Sequence, residues 1–144
     1  MRGVIVAVVM GAVLGLEVPV TAQPLPGPLV NCTVTVSTAT TLTAVGGACA
    51  AQATGTALYI TDILFTTNAG AIAADAYNTL KTGTGTACGT GTTTIWSAMT
   101  VAATQAAVVQ SFRSPLRVPP NTDLCWMNST AGSKALVITG YRAP

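Results

Sequence analysis

The sequence predicts an all-β fold, an antiparallel two-sheet sandwich of about eight strands with jelly-roll-like character. Three observations predict it. Apolar and polar residues alternate with period two over several short stretches, about 25 threonines are spread along the chain, and turn residues recur at the spacing of an all-β domain. Threonine is β-branched and suits a pleated surface without bringing charge. No segment carries the apolar periodicity of a helix of normal length. An immunoglobulin-like sandwich is the alternative, although the cysteine-tryptophan-cysteine spacing that supports it is absent.

The N-terminal segment is set apart from the fold. Arg2 precedes an apolar run from Val4 to Leu16, followed by Glu17, Pro19 and the small-residue site Val20-Thr21-Ala22. This is the pattern of a secretory signal peptide, and its apolar run is shorter than the roughly 20 residues that cross a bilayer. Residues 1–22 are expected to be a signal peptide or a retained apolar leader, with no stable membrane anchor. Leu29-Val30-Asn31-Cys32 departs from a lipoprotein box, since Asn31 stands where a small residue belongs. Residues 23–29 read as a proline-rich linker and residues 30–144 as a single domain, a length that suffices for one core.

Within that domain Val30, Cys32, Val34 and Val36 alternate with Asn31, Thr33 and Thr35, a half-buried strand. Leu42 to Ala51 predicts a weaker strand broken by Gly46-Gly47. Ala57 to Thr67 predicts a third, in which Leu58, Ile60 and Leu64 face opposite to Tyr59, Ile63 and Phe65. With both faces apolar it should be central, covered by the facing sheet on one side and by a neighbouring subunit or loop on the other. Residues 68–77 read as a loop. Ala76 to Lys81, Thr92 to Met99, Ala106 to Phe112, Asp123 to Asn128 and Ala135 to Tyr141 complete the set, while Pro115, Pro119 and Pro120 make Leu116-Arg117-Val118 an edge or a connection.

Composition excludes much chemistry. Half of the residues are apolar and 7% are charged, with no histidine and a net charge of +2. Serine or cysteine catalysis through histidine, and histidine metal ligation, are removed. No basic run supplies a phosphate track, so nucleic acid is not an expected partner. Four cysteines in an exported chain read as two disulfides, and of the three possible pairings Cys32 with Cys49 and Cys88 with Cys125 is favoured. The first pair flanks a hairpin-like unit, and the second ties a glycine-rich loop to a late strand. Zinc is disfavoured because no short Cys-x-x-Cys knuckle is present.

Thr82 to Thr92 is a glycine-threonine loop that lacks both the dinucleotide fingerprint and the Gly-Lys-Ser/Thr ending of a phosphate loop. Gly83, Gly85, Gly89 and Gly91 make it a candidate contact surface, since glycine lets backbones approach closely. Arg113 and Arg117 form the best positive pair for an anionic partner. Asp62, expected to meet a base or backbone donors, and Asp75 and Asp123, expected in turns, are too scattered for calcium or a two-carboxylate hydrolase. Lys81 and Lys134 offer little scope for a serine-lysine dyad. Trp96, Trp126, Tyr59, Tyr77 and Tyr141 are candidates for core packing rather than for a sugar platform. Asn31 and Asn128 head glycan-acceptor triplets. The residues thus predict no enzyme and no cofactor. A surface so poor in charge is expected to be covered by assembly into an oligomer or lattice.

The succession Leu58-Tyr59-Ile60-Thr61-Asp62-Ile63, the loop with Cys88, Phe112-Arg113-Ser114-Pro115-Leu116, Leu124-Cys125 and Thr139-Gly140-Tyr141 resembles small β-sandwich proteins of tailed bacteriophages. The resemblance covers about residues 30–144. It implies a decoration or fibre-type virion accessory subunit, often trimeric and without catalysis, at the virion surface. The leader departs from that pattern and keeps open a secreted bacterial surface or extracellular-matrix protein that mediates adhesion or carbohydrate binding.

Overall fold

In the computed structural model, residues 27–36, 40–67, 76–100, 107–130 and 134–144 are described. The expectations for the leader at 1–22, the linker up to Pro26, the loop at 68–75 with Asp75, and Ala106 lie outside those residues. The strands are β1 (Leu29–Val36), β2 (Thr43–Ala44), β3 (Ala57–Thr67), β4 (Ala76–Thr84), β5 (Thr90–Thr100), β6 (Val108–Val118), β7 (Asp123–Asn128) and β8 (Lys134–Ala143). Two short 3-10 turns, Gly47–Cys49 and Thr86–Cys88, are the helical elements among the described residues.

The first strand pairs with the last, the second with the seventh, the third with the sixth and the fourth with the fifth, all antiparallel. This is the pairing of one long hairpin. Folding it over adds β3 to β8 and β4 to β7, which produces two sheets ordered β1-β8-β3-β6 and β2-β7-β4-β5. The result is an eight-stranded jelly roll, and the immunoglobulin-like alternative is set aside by this order.

Three segments differ from their sequence expectation. Leu42 to Ala51 keeps only Thr43–Ala44 as strand, because Gly46 and Gly47 both take positive φ, 64° and 55°, and turn the chain into the 3-10 segment. Leu116-Arg117-Val118 is at an edge, as expected, but it continues β6 past the expected end at Phe112: the ladder to β3 resumes at Leu116 after Phe112 to Pro115 bulge out opposite Thr61. An edge tolerates Pro115, since no outer neighbour calls for its missing N–H.

The third difference concerns β3. Register shifts between Ile60 and Asp62 on both of its partners, leaving Thr61 as an extra residue. One inserted residue inverts the side-chain parity of all that follow. Leu58, Ile60, Ile63 and Phe65 therefore all face inward at 1% exposure or less, and Tyr59 and Leu64 face outward. The grouping of Leu64 with Leu58 and Ile60 is corrected accordingly. β3 is central, as expected.

Inward residues of both sheets meet in one core. Val30, Val34, Leu58, Ile60, Ile63, Phe65, Leu136 and Ile138 come from one sheet, Leu80, Leu124 and Trp126 from the other. Trp126 is fully buried, and its ring meets Phe65 edge-on at 5.4 Å. At the bulge the β3 backbone approaches β8 so closely that a Cβ on Gly140 would lie 2.2 Å from the Tyr59 carbonyl oxygen. Gly140→Ala is expected to cost about 2 kcal/mol of stability through the forced backbone shift, a loss that chemical denaturation reads directly. An unchanged midpoint would show that the bulge relaxes freely.

Candidate functional site

The two disulfides are Cys32–Cys49 and Cys88–Cys125, the favoured pairing. The first joins edge strand β1 of one sheet to the turn after β2 of the other, and thereby holds one lateral edge of the sandwich closed. The second joins the turn after β4 to β7.

The glycine-threonine stretch is shorter as a loop than its sequence suggests. Thr84 pairs with Thr90, so Gly83 belongs to β4 and Gly91 to β5, while Gly85 and Gly89 flank the turn. Gly83 is buried where a Cβ would press on Cys88 at 2.9 Å. The other three are exposed, with Gly85 and Gly91 at φ 76° and 62°. Arg113 stands on the β6 bulge and Arg117 further along the same strand, both exposed. Glycines and arginines thus lie on different sheets.

Arg117 shares a row with residues of three other strands. Leu29 pairs with Tyr141, Tyr141 with Tyr59 and Tyr59 with Arg117, all on the outer face of the β1-β8-β3-β6 sheet. The Tyr59 and Tyr141 rings stack at 5.3 Å and 9°. They use a face on each other and present edges outward. A parallel row contains Thr33, Val137, Leu64 and Val109. Leu29 and Val109, at opposite corners, are 71% and 67% exposed. Between the rows the Ser111 hydroxyl donates to the Asp62 carboxylate at 2.6 Å. That bond, with a weaker one from Thr61, holds the Asp62 carboxyl below the usual carboxylate range. The expected base or backbone partner is replaced by hydroxyls. An antiparallel sheet with one solvated face ordinarily turns polar residues outward, and this face is largely aliphatic, aromatic and threonine.

The remaining aromatics do not join it. Trp126 is core, Trp96 packs half-buried against the core, and Tyr77 is 57% exposed opposite Met99 on the other sheet. Asp123 accepts from the Ala51 N–H at 3.3 Å, a loop-fixing contact.

Lys134 departs most from what its residue type suggests. It is 1% exposed, between the sheets, and its ammonium donates to Thr130 O at 2.8 Å, Thr130 Oγ1 at 2.7 Å and Asn128 Oδ1. Asn128 is fully buried and its amide donates to Asn78, so this member of the two glycan triplets is closed to modification in the fold. Asn31 is exposed. Burial lowers the Lys134 pKa from the usual lysine value. In the window below about 10.4 the unfolded chain therefore binds more protons than the folded one, and stability rises with pH up to that value. Lys134→Met is expected to flatten this alkaline rise and to leave neutral-pH stability within about 1 kcal/mol or improved. Thermal melts from pH 7 to 10.5 check it, and an unchanged slope would assign the rise to another group.

A cleft of about 590 Å³ opens between the segment that leads into β1 and the residues at the end of β8, lined by Gly27, Gln52, Thr56, Arg142 and Pro144 among others. Two of its polar side chains bond the loop beside it, while Arg142 Nε is buried without a hydrogen-bond partner. Arg142 Nη2 donates to Ala48 O at 2.7 Å, and the Gln52 amide donates to Ala50 O. No Asp, Glu, Cys or Lys side chain lines it. Among the described residues no group of three metal-ligating side chains converges, and no helix is long and apolar enough to cross a membrane.

No protein-family model matches the chain, and a search of curated proteins finds no match either. Sequence reasoning missed the outer-face rows and the buried lysine. Neither has a local signal, because cross-strand neighbours are set by pairing between residues up to about a hundred positions apart.

Proposed function

We propose that this chain is a non-enzymatic structural subunit of a larger assembly, a virion accessory protein of decoration or fibre type displayed at the particle surface. The observation that carries the reading is the outer face of the β1-β8-β3-β6 sheet on this disulfide-tied jelly roll, where Leu29 and Val109 stand exposed and Tyr59, Tyr141, Leu64 and Val137 half-buried. Such a face suits a subunit whose neighbours cover it. Several polar groups bond neighbouring loops: Arg142 through Nη2 and Gln52 at the cleft, Asp123 on Ala51, and Lys134 in the core. A fold of this kind serves unrelated functions, so the argument rests on the surface and on the resemblance to phage β-sandwich proteins rather than on topology.

A second reading, a secreted bacterial surface or matrix protein active in adhesion or carbohydrate binding, is favoured by the signal-like leader and by the two disulfides. Disulfides form and persist in oxidising compartments. Intact mass without reduction, combined with light scattering on material from the native source, separates the two. An unprocessed chain in a large particle supports the virion subunit. A chain beginning at Gln23, with both disulfides and no particle, overturns it for the secreted protein.

A further inference from the structure

We infer that the outer face of the β1-β8-β3-β6 sheet is a self-association surface that packs against the same face of a second copy. The inference deepens the proposed assembly role and rests on it.

Size, charge and symmetry point to a second copy as the occupant. Four strands and about eight residues along each give a face about 20 Å by 25 Å, about 500 Å² per copy and about 1,000 Å² in a pair, the area at which specific interfaces begin. Two of its rows contain the aromatic and aliphatic side chains that interfaces favour, Leu29, Tyr141 and Tyr59 in one and Val137, Leu64 and Val109 in the other, and the row between them, Asn31, Thr139, Asp62 and Ser111, is polar. Charges of opposite sign stand in adjacent rows of it, Arg117 in one and Asp62 in the next. A base and an acid so placed are complementary to their own copies under a two-fold rotation. With the axis running across the strands between those rows, Arg117 of each copy lies over the row that contains Asp62 of the other.

The opposite sheet fits the role less well. Its exposed Tyr77 and Met99 are a single cross-strand pair.

The test is light scattering of the purified full chain across concentration, for the native sequence and five surface variants. Val109→Lys and Leu29→Lys each place an ammonium on the proposed interface, and both positions are exposed enough to leave the fold intact. The native chain is expected to form a dimer, and each variant to weaken it by about 100-fold. Met99→Lys, on the other sheet, is expected to leave it unchanged. Asp62→Arg should also weaken the dimer, with recovery on adding Arg117→Asp. A dimer that survives Val109→Lys and Leu29→Lys overturns the inference and leaves the assembly reading standing. A native chain that is monomeric at all concentrations overturns the inference too. The assembly reading then stands or falls on whether native-source material sediments with larger particles.

Discussion

Replacing Cys88 and Cys125 together by alanine is expected to lower the unfolding free energy by about 4 kcal/mol. The bridge spans 37 residues and encloses the whole of β5 and β6, the two outermost strands away from the Cys32–Cys49 edge. Without it, the unfolded chain regains the freedom of a long loop, and a cost that grows with the logarithm of loop length is withdrawn. The shorter Cys32–Cys49 bridge spans 17 residues and should contribute about 3 kcal/mol by the same reasoning. Guanidinium titrations of the double variants give both numbers. A larger loss from the Cys32–Cys49 pair than from Cys88–Cys125 would show that native-state contacts, and not loop entropy, set the order.

Trp126→Ala is expected to cost about 3–5 kcal/mol, a substantial share of the 5–15 kcal/mol that separates a folded domain from its unfolded chain. Trp126 is the largest fully buried side chain, on β7 in the middle of its sheet, and it is the part of that sheet that reaches Phe65 on the other. Deleting it empties the space between the sheets where Leu80 and Leu124 cannot reach. Trp126→Phe should cost much less, about 1–2 kcal/mol, for a specific reason. The indole Nε1 is buried with no hydrogen-bond partner, so phenylalanine gives up volume while removing an unsatisfied donor. Equal losses for alanine and phenylalanine would locate the contribution of Trp126 in its polar edge and not in its packing.

The strands were legible to different degrees, and the reasons lie in particular residues. β3 and β7 have the bounds that alternation and turn residues predict. β1, β5 and β8 run one to two residues longer at an end, because cross-strand partners extend a ladder past the last patterned residue. β6 reaches Val118, six residues beyond its expected end, since a bulge around Pro115 resolves what proline alone would have broken. The disulfides were legible from cysteine number and spacing. The candidate surface was legible only in part: Arg117 was singled out for its charge, but the row it shares with Tyr59, Tyr141 and Leu29 was not.

The amino-acid sequence by itself determined the class of the fold, the positions of most of its strands, the expectation of two disulfides and the absence of histidine-based chemistry. Each depends on residue type or on a pattern spanning a few neighbours, where period-two alternation and covalent chemistry act directly. The tertiary structure alone decided the pairing of first strand with last, the parity reversal at Thr61, the burial of Lys134 and Asn128, and which side chains share the outer face. Those are properties of contacts between distant segments. A lysine looks solvent-bound and a leucine core-bound until the sheet that carries them has found its partner.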